Sequence, residues 1–349
     1  MKKAIAFILV LVMALTLCAC GSKSTSGSTA SPATDAATTT DAATTTEGSD
    51  YSYHWKLATT EAPDYYMTKL SQEFLDRVNE LSGGKVTGEV FASGQLGGLT
   101  DMLEGLEVGT IDIVMDGFSS LGEANELFNV WGMPYLYDDQ DHKHNFWDNY
   151  FDECADLVAK ESNIRMVTVI DGLNRNLCCK QPVESLADLK GLKIRVPTIA
   201  TYVKVWECFG AAATPMSLSE VYTSLSTGVI DGQENDIMLT MAENFYEVAP
   251  YAVMTEHVPY EASLFFNEET YQSFPDELKQ IIKQAGEELI VKSRETVYEA
   301  EAETLEKMEE MGVTIIRPDL TEWREAVQVM YEDVDYMKPV LDLIDAARA

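Results

Sequence analysis

Positive charge is what this chain has least of: 25 Lys and Arg stand against 58 Asp and Glu, a formal net charge of −33. So acidic a surface repels the phosphates of DNA, RNA and anionic lipid, which excludes a nucleic-acid partner. Histidine is scarce too, limited to His54, His142, His144 and His257. With no G-x-S-x-G elbow, metal-protease motif or P-loop, nothing nominates a nucleophile or an acid–base pair. Neither an enzyme activity nor a cofactor is expected. His142 and His144 sit two apart on an expected helix, point away from each other and cannot share a zinc ion. They read as polar side chains facing water. Beyond the N-terminal region the cysteines are Cys154, Cys178, Cys179 and Cys208. Their spacing fits no zinc motif, and four thiols in about 300 residues do not build a disulfide scaffold. Buried free thiols are expected, with the adjacent Cys178 and Cys179 facing opposite sides of a strand. Long apolar runs are also missing after residue 17, so the remainder should be soluble.

The one apolar run, residues 4–17, follows Lys2 and Lys3 and ends in Leu17-Cys18-Ala19-Cys20-Gly21. It falls short of the roughly 20 residues that span a bilayer, but a basic start, a short apolar core and a small residue describe an export signal. The ending resembles the lipobox of bacterial lipoproteins, which are cut just before a Cys that is then lipidated. That implies a signal peptide over 1–19 and a lipid on Cys20, holding the protein to the extracytoplasmic face of the membrane. Residues 20–50 are rich in Ser, Thr, Ala, Asp and Gly, with near-copies of Ala-Ala-Thr-Thr-Thr starting at Ala36 and Ala42. A segment with so little to bury cannot offset its ordering entropy and reads as a tether.

Beyond the tether, strands and helices alternate. Residues 54–59 read as a strand, then Met67, Leu70, Phe74, Val78 and Leu81 recur at helical spacing up to Gly83-Gly84. Strands over 86–91 and 111–115 flank a short helix near 99–106. Further on come a helix over 139–160, a strand over 164–170, an unusually long extended stretch over 173–183 and a strand over 192–196. Helices near 200–209 and 217–227 follow, then a strand over 263–266 that returns to the first lobe. A long helical stretch from Pro275, a strand over 313–316 and a last helix over 323–347 close the chain. This pattern predicts an α/β protein of two lobes, lobe I over 51–170 completed by about 262–349, and lobe II over 171–261. A cleft between two lobes is where a small ligand usually sits.

Charge is unevenly spread along the chain. Between residues 175 and 204 stand Arg175, Lys180, Lys190, Lys193, Arg195 and Lys204 against only Glu184 and Asp188. Residues 205–236 then carry no Lys or Arg at all. An acidic protein that binds an anion needs such a local concentration of positive charge, because distant charges are screened beyond about 8 Å. A solvated basic face that balances nearby acids is the competing account.

The same segment carries Ser185-Leu-Ala-Asp-Leu-Lys-Gly-Leu-Lys-Ile-Arg-Val-Pro197, Thr214-Pro-Met216, Glu220-Val-Tyr222 and Thr227-Gly-Val-Ile-Asp-Gly-Gln-Glu-Asn235. With Gly94-Gln-Leu-Gly97 and Met133-Pro-Tyr-Leu136, these closely resemble the substrate-binding subunits of TRAP (tripartite ATP-independent periplasmic) transporters, DctP type. The resemblance runs from about Trp55 to the C-terminus. It implies a periplasmic-binding-protein-like fold with a hinged interlobe cleft and long C-terminal helices, working as a monomer with membrane permease subunits. It also implies that Arg195 clamps a ligand carboxylate, helped by Arg175 and Asn235. A guanidinium suits that task because its planar fork meets both carboxylate oxygens. Thr198 stands where relatives often present Asn, and Asp236 where they usually have Pro. Thr60 and Asp116, at the ends of the first and third strands, occupy positions where pocket residues commonly lie. A carboxylate at 116 repels an anion unless it accepts from hydroxyl or ammonium groups. This favours a uronate or aldonate over a plain dicarboxylate, although Asp116 also fits as a loop cap facing water. A C4-dicarboxylate binder and a receptor presenting its ligand to a sensor are the alternatives.

Overall fold

The structure is a computed structural model and describes residues 50–348. The export segment, Cys20 and nearly all of the tether lie outside the described residues, and so do the expectations attached to them. The described chain opens with β1 (Tyr53–Ala58), α1 (Tyr66–Leu81), β2 (Val86–Phe91), α2 (Leu99–Val108) and β3 (Ile113–Gly117), then α3 (Gln140–Ser162) and β4 (Ile164–Met166). It continues through β5 (Arg175–Cys179), β6 (Lys193–Val196), α4 (Ala200–Cys208), β7 (Ala212–Pro215), α5 (Val221–Thr227), β8 (Gly232–Asn235), α6 (Ile237–Ala242) and β9 (Tyr251–Val258). Last come β10 (Ala262–Asn267), α7 (Glu268–Ser273), α8 (Asp276–Glu310), β11 (Thr314–Ile316), α9 (Thr321–Ala326) and α10 (Lys338–Ala346).

The strands form two sheets, in the orders β2-β1-β3-β10-β4 and β11-β9-β5-β8-β6-β7. In the first, β1 pairs in parallel with β2 and β3, and β10 enters antiparallel between β3 and β4. A mostly parallel sheet is covered on both faces, so its strands carry apolar side chains on each. Trp55, Leu57, Ile113 and Met115 pack on α1 and the start of α8, whereas Ala58 and Val114 join Phe118, Trp131 and Trp147 on the other side. The second sheet packs its own core around Ile194, Val196, Trp206, Phe209 and Trp323.

Two chain crossings between the sheets lie side by side, joined by the antiparallel bridge of Ile170 with Ala262. At Gly172 the crossing passes so near the other that a Cβ would stand 1.9 Å from the Tyr260 carbonyl oxygen. A third link is α8, whose 35 residues reach roughly 50 Å at 1.5 Å each. Its Leu278, Ile282, Ala285 and Leu289 pack under the first sheet, and its Val297 and Met308 pack with Leu173, Ala252 and Val313.

Several expectations need correction. Residues 262–349 do not stay with the first sheet: β11 pairs with β9, and Trp323 of α9 sits in the second core. The extended stretch over 173–183 shrinks to β5, where a bulge between Arg175 and Leu177 interrupts the pairing. The strand over 164–170 ends at Met166, leaving Ile170 in its single bridge. The last helix is two: α9 ends at Ala326, Asp333 takes a left-handed backbone in the stretch that follows, and α10 starts only at Lys338 with Pro339 in its first turn. Strands β7, β8 and β9 were not foreseen, and β8, which reads Gly-Gln-Glu-Asn, has no apolar alternation to reveal it. His142 is buried, its Nε2 bonded to the Ile344 carbonyl, and His144 bonds Asp171, so neither simply faces water. Cys178 and Cys179 enter different clusters, as alternation requires, and Cys208 is only half-buried. Among the described residues no helix is long and apolar enough to cross a membrane.

Candidate functional site

Strand alternation aims the first functional side chain. Ile194 and Val196 of β6 point into the second core, so Arg195 between them faces the opposite way, 3% exposed. Its Nε and Nη2 both donate to the Met216 carbonyl, at 3.0 and 2.8 Å. No carboxylate lies within ion-pair distance of it among the described residues. Burial drags its pKa down to about 9, against the pull of Glu234 and with the push of Arg175. A buried guanidinium with a single carbonyl partner is an expensive group that an anion would complete.

Arg175, at the start of β5, is buried in a different setting. Its Nε and Nη2 reach the two oxygens of Glu234 at 2.6 and 2.8 Å, and Nη2 also donates to Asn235 Oδ1 at 2.7 Å. Its guanidinium lies 4.9 Å from the ring centre of Tyr202 and 5.3 Å from that of Tyr260. Burial opposes the charge, but Glu234 outweighs it and holds the Arg175 pKa well above the usual range. Glu234 also meets His257 Nε2 at 3.1 Å. Arg175 thus differs from Arg195, the other arginine expected to neutralise a ligand, in that its charge is already paired with Glu234. What it offers the cavity is an oriented edge, fixed by Glu234 and two rings. Asn235 is engaged as well, accepting from Arg175 and donating to Gln233 Oε1 at 2.7 Å.

Arg195, Arg175, Asn235, Thr198, Asp116 and Thr60 all line one cavity, whose space is about 610 Å³ when its open mouth is included. The structure thus brings together every residue that sequence reasoning nominated for binding. Thr198 is exposed and Thr60 half-buried at its edge. Asp116 is 8% exposed and accepts from the Gly117 N–H at 2.8 Å, so it is not a cap facing water. The four lysines of the basic island are exposed, and only its two arginines reach the cavity. The lysines thus form a solvated basic face, while the two arginines turn to the cavity.

Sequence reasoning missed Glu61, Tyr202 and Tyr260 on the cavity wall, and Glu234 with His257 behind it. Glu61 was findable, since it follows the end of β1 by the same rule that nominated Thr60. The tyrosines carry no such signal. The cavity is polarised: the first sheet brings Glu61 and Asp116, and the second brings Arg195, Arg175 and Asn235. Glu61 accepts from Thr59 Oγ1 and, at 3.2 Å, from the Tyr260 hydroxyl. Burial first, then mutual repulsion on Glu61, pushes the proton affinity of this carboxyl pair upward.

Two α/β sheets with a buried, charge-polarised cavity between their strand ends define a solute-binding protein of the two-lobed kind. The chain belongs to the bacterial extracellular solute-binding proteins of family 7 (DctP), whose family model matches residues 57–336. It is 32% identical over 261 residues to the sialic acid-binding periplasmic protein SiaP of Vibrio cholerae, covering 74% of this chain and 81% of that one. A TRAP periplasmic solute binding protein from Xanthobacter autotrophicus, solved with bound β-D-galacturonate, superposes with a TM-score of 0.80 at 28% identity, covering 84% of this chain and 99% of that one. Another, from Roseobacter denitrificans with bound L-galactonate, gives 0.79 at 28% identity, covering 85% and 100%.

Proposed function

We propose that this protein captures a sugar acid, a uronate or an aldonate, outside the cytoplasmic membrane and delivers it unchanged to TRAP permease subunits. The observation that carries the reading is Arg195, a buried guanidinium without a carboxylate partner on the wall of the cavity. Charge-assisted hydrogen bonds contribute about 1.5–3 kcal/mol each. Two of them to one carboxylate supply a large share of the roughly 8 kcal/mol behind micromolar affinity. Across the cavity, Asp116 and Glu61 favour a ligand whose far end is hydroxylated and uncharged. The galacturonate and galactonate held by the two similar structures have that form. A lipid on Cys20 keeps the protein, as a monomer, at the membrane where the permease works.

Thermal denaturation of the purified soluble domain tests the ligand class. At 100 times Kd a ligand that binds only the folded state adds about 2.7 kcal/mol, a rise of several degrees in Tm. D-Galacturonate, D-glucuronate and L-galactonate are expected to raise Tm, and neutral D-galactose is not. Stabilisation by galactose with none from the acids overturns the reading.

A further inference from the structure

We infer that Glu61 and Asp116 together form a hydroxyl-reading end of the cavity, which admits acids bearing neighbouring hydroxyls there and refuses those bearing a second carboxylate or an ammonium group. This rests on the sugar-acid reading and adds to it a selectivity device in which Glu61 is a specificity-determining residue. Both side chains line the cavity, and they are 3% and 8% exposed. Both come from strand ends of the first sheet, across from Arg195 on the second. No Lys, Arg or His nitrogen stands within ion-pair distance of either among the described residues. Arg175, which faces them from β5, is committed to Glu234. The other titratable groups around them are Tyr202 on α4, Tyr260 between β9 and β10, and Asp236 after β8. Asp236 is held by the Tyr65 hydroxyl at 2.6 Å and by the Leu239 N–H.

Two buried carboxyls in each other's field, with no nearby cation but Arg175, which is already paired with Glu234, retain a proton between them. Burial raises the proton affinity of both, which agrees with that arrangement. Such a pair presents one O–H donor and several acceptor lone pairs. A hydroxyl both donates and accepts, so two neighbouring hydroxyls match the pair without any change of charge. An ammonium has three donors and no acceptor, and would have to drive off the proton before it fitted. A second carboxylate brings acceptors and negative charge to a wall that already has both. The donors that hold Glu61, from Thr59 and Tyr260, and the Gly117 N–H on Asp116 fix the pair in place without filling its lone pairs.

Isothermal titration of the purified chain at neutral pH, with six-carbon acids that are either hydroxylated along the chain or unsubstituted with a different group at the far end, tests the inference. D-Galacturonate and L-galactonate are the hydroxylated probes; hexanoate, adipate and 6-aminohexanoate carry there a methyl, a carboxylate and an ammonium. The hydroxylated acids are expected to bind about 100-fold or more tighter than the other three, because unpaired buried polar groups penalise each of those. Glu61→Gln, which keeps the shape and loses the shared proton, is expected to weaken galacturonate about 10-fold or more and to narrow its margin over adipate. Asp116→Asn should do the same. Hexanoate binding as tightly as galactonate overturns the inference while leaving an acid-binding protein. Adipate or 6-aminohexanoate binding more tightly overturns it too, and so does an unchanged profile in a Glu61→Gln protein with native circular dichroism. Binding of none of the five by the folded wild type removes the sugar-acid reading itself. If the variants fail to fold, the wild-type panel alone decides.

Discussion

Arg195 and Arg175 carry the same group into the same cavity, yet their surroundings give them different work. Arg175 spends its charge on Glu234, whereas Arg195 has only the Met216 carbonyl. Losing the planar fork at 195 should therefore matter more than losing charge on the surface. Arg195→Lys is expected to weaken galacturonate about 10–100-fold by titration calorimetry, as one charged hydrogen bond of the pair is lost. Equal affinity would take Arg195 out of the site. Glu261 shows what burial does elsewhere: its Oε1 has no hydrogen-bond partner, and burial lifts its pKa to about 7, with Lys143 opposing and Asp171 adding. Below about pH 4.5 folded and unfolded chains both keep that proton. Between there and about 7 only the folded chain does, so stability falls as pH rises and the loss is complete above 7. Glu261→Gln should remove this slope. Its Tm relative to wild type should climb between pH 5 and pH 8, by the equivalent of roughly 3 kcal/mol at most. A constant difference would mean that Glu261 holds no proton in the folded state.

At the scale of elements, the long helix α8 ties the two sheets together, and one residue lets it approach. Gly286 lies against the residues after β4, where a Cβ would stand 2.2 Å from the Val167 carbonyl oxygen. The Gly286 carbonyl also accepts from Thr168 Oγ1 at 2.8 Å. Helix propensity alone favours Ala over Gly by about 1 kcal/mol. Overpacking against a backbone costs about 1–3 kcal/mol, enough to reverse that sign. Gly286→Ala is expected to lower stability in urea denaturation, and a gain would show that α8 shifts freely. The buried network at the first crossing has the same function of tying elements together. Lys143 and His144 of α3 and Tyr298 of α8 converge on Asp171, at 2.8, 2.6 and 2.8 Å.

At the scale of the whole molecule, a net charge of −33 sits on a protein proposed to capture an anion. The two are compatible because long-range repulsion is screened within about 8 Å at physiological salt, while Arg195 acts inside a buried wall. The proposed retention near a permease rests on Cys20, which lies outside the described residues. Cys20→Ser is expected to abolish incorporation of labelled palmitate and to move the protein from the membrane to the soluble fraction of the producing cell. Unchanged fractionation would mean that something other than Cys20 anchors it.

Much of this protein was legible in its sequence. The β1-α1-β2-α2-β3 alternation was visible because apolar periodicity reports which face of an element is buried, and that is a local property. Arg195 was nominated through the family resemblance that Lys193-Ile-Arg195-Val-Pro197 carries, and the alternation of Ile194 and Val196 agrees with it by turning Arg195 to the opposite face of β6. The six residues nominated from the sequence all line the cavity, whereas Glu61, Tyr202 and Tyr260 beside them were missed. What it left open depended on partners far along the chain. Only the tertiary structure placed Glu234 against Arg175 and so took that charge out of circulation. Only it brought Tyr260 and Glu61 together across 199 positions, sent β11 to the second sheet and hid β8 in its middle. Periodicity states that a side chain is buried; which groups it meets there, and therefore its charge, is decided by chain segments that fold back from elsewhere.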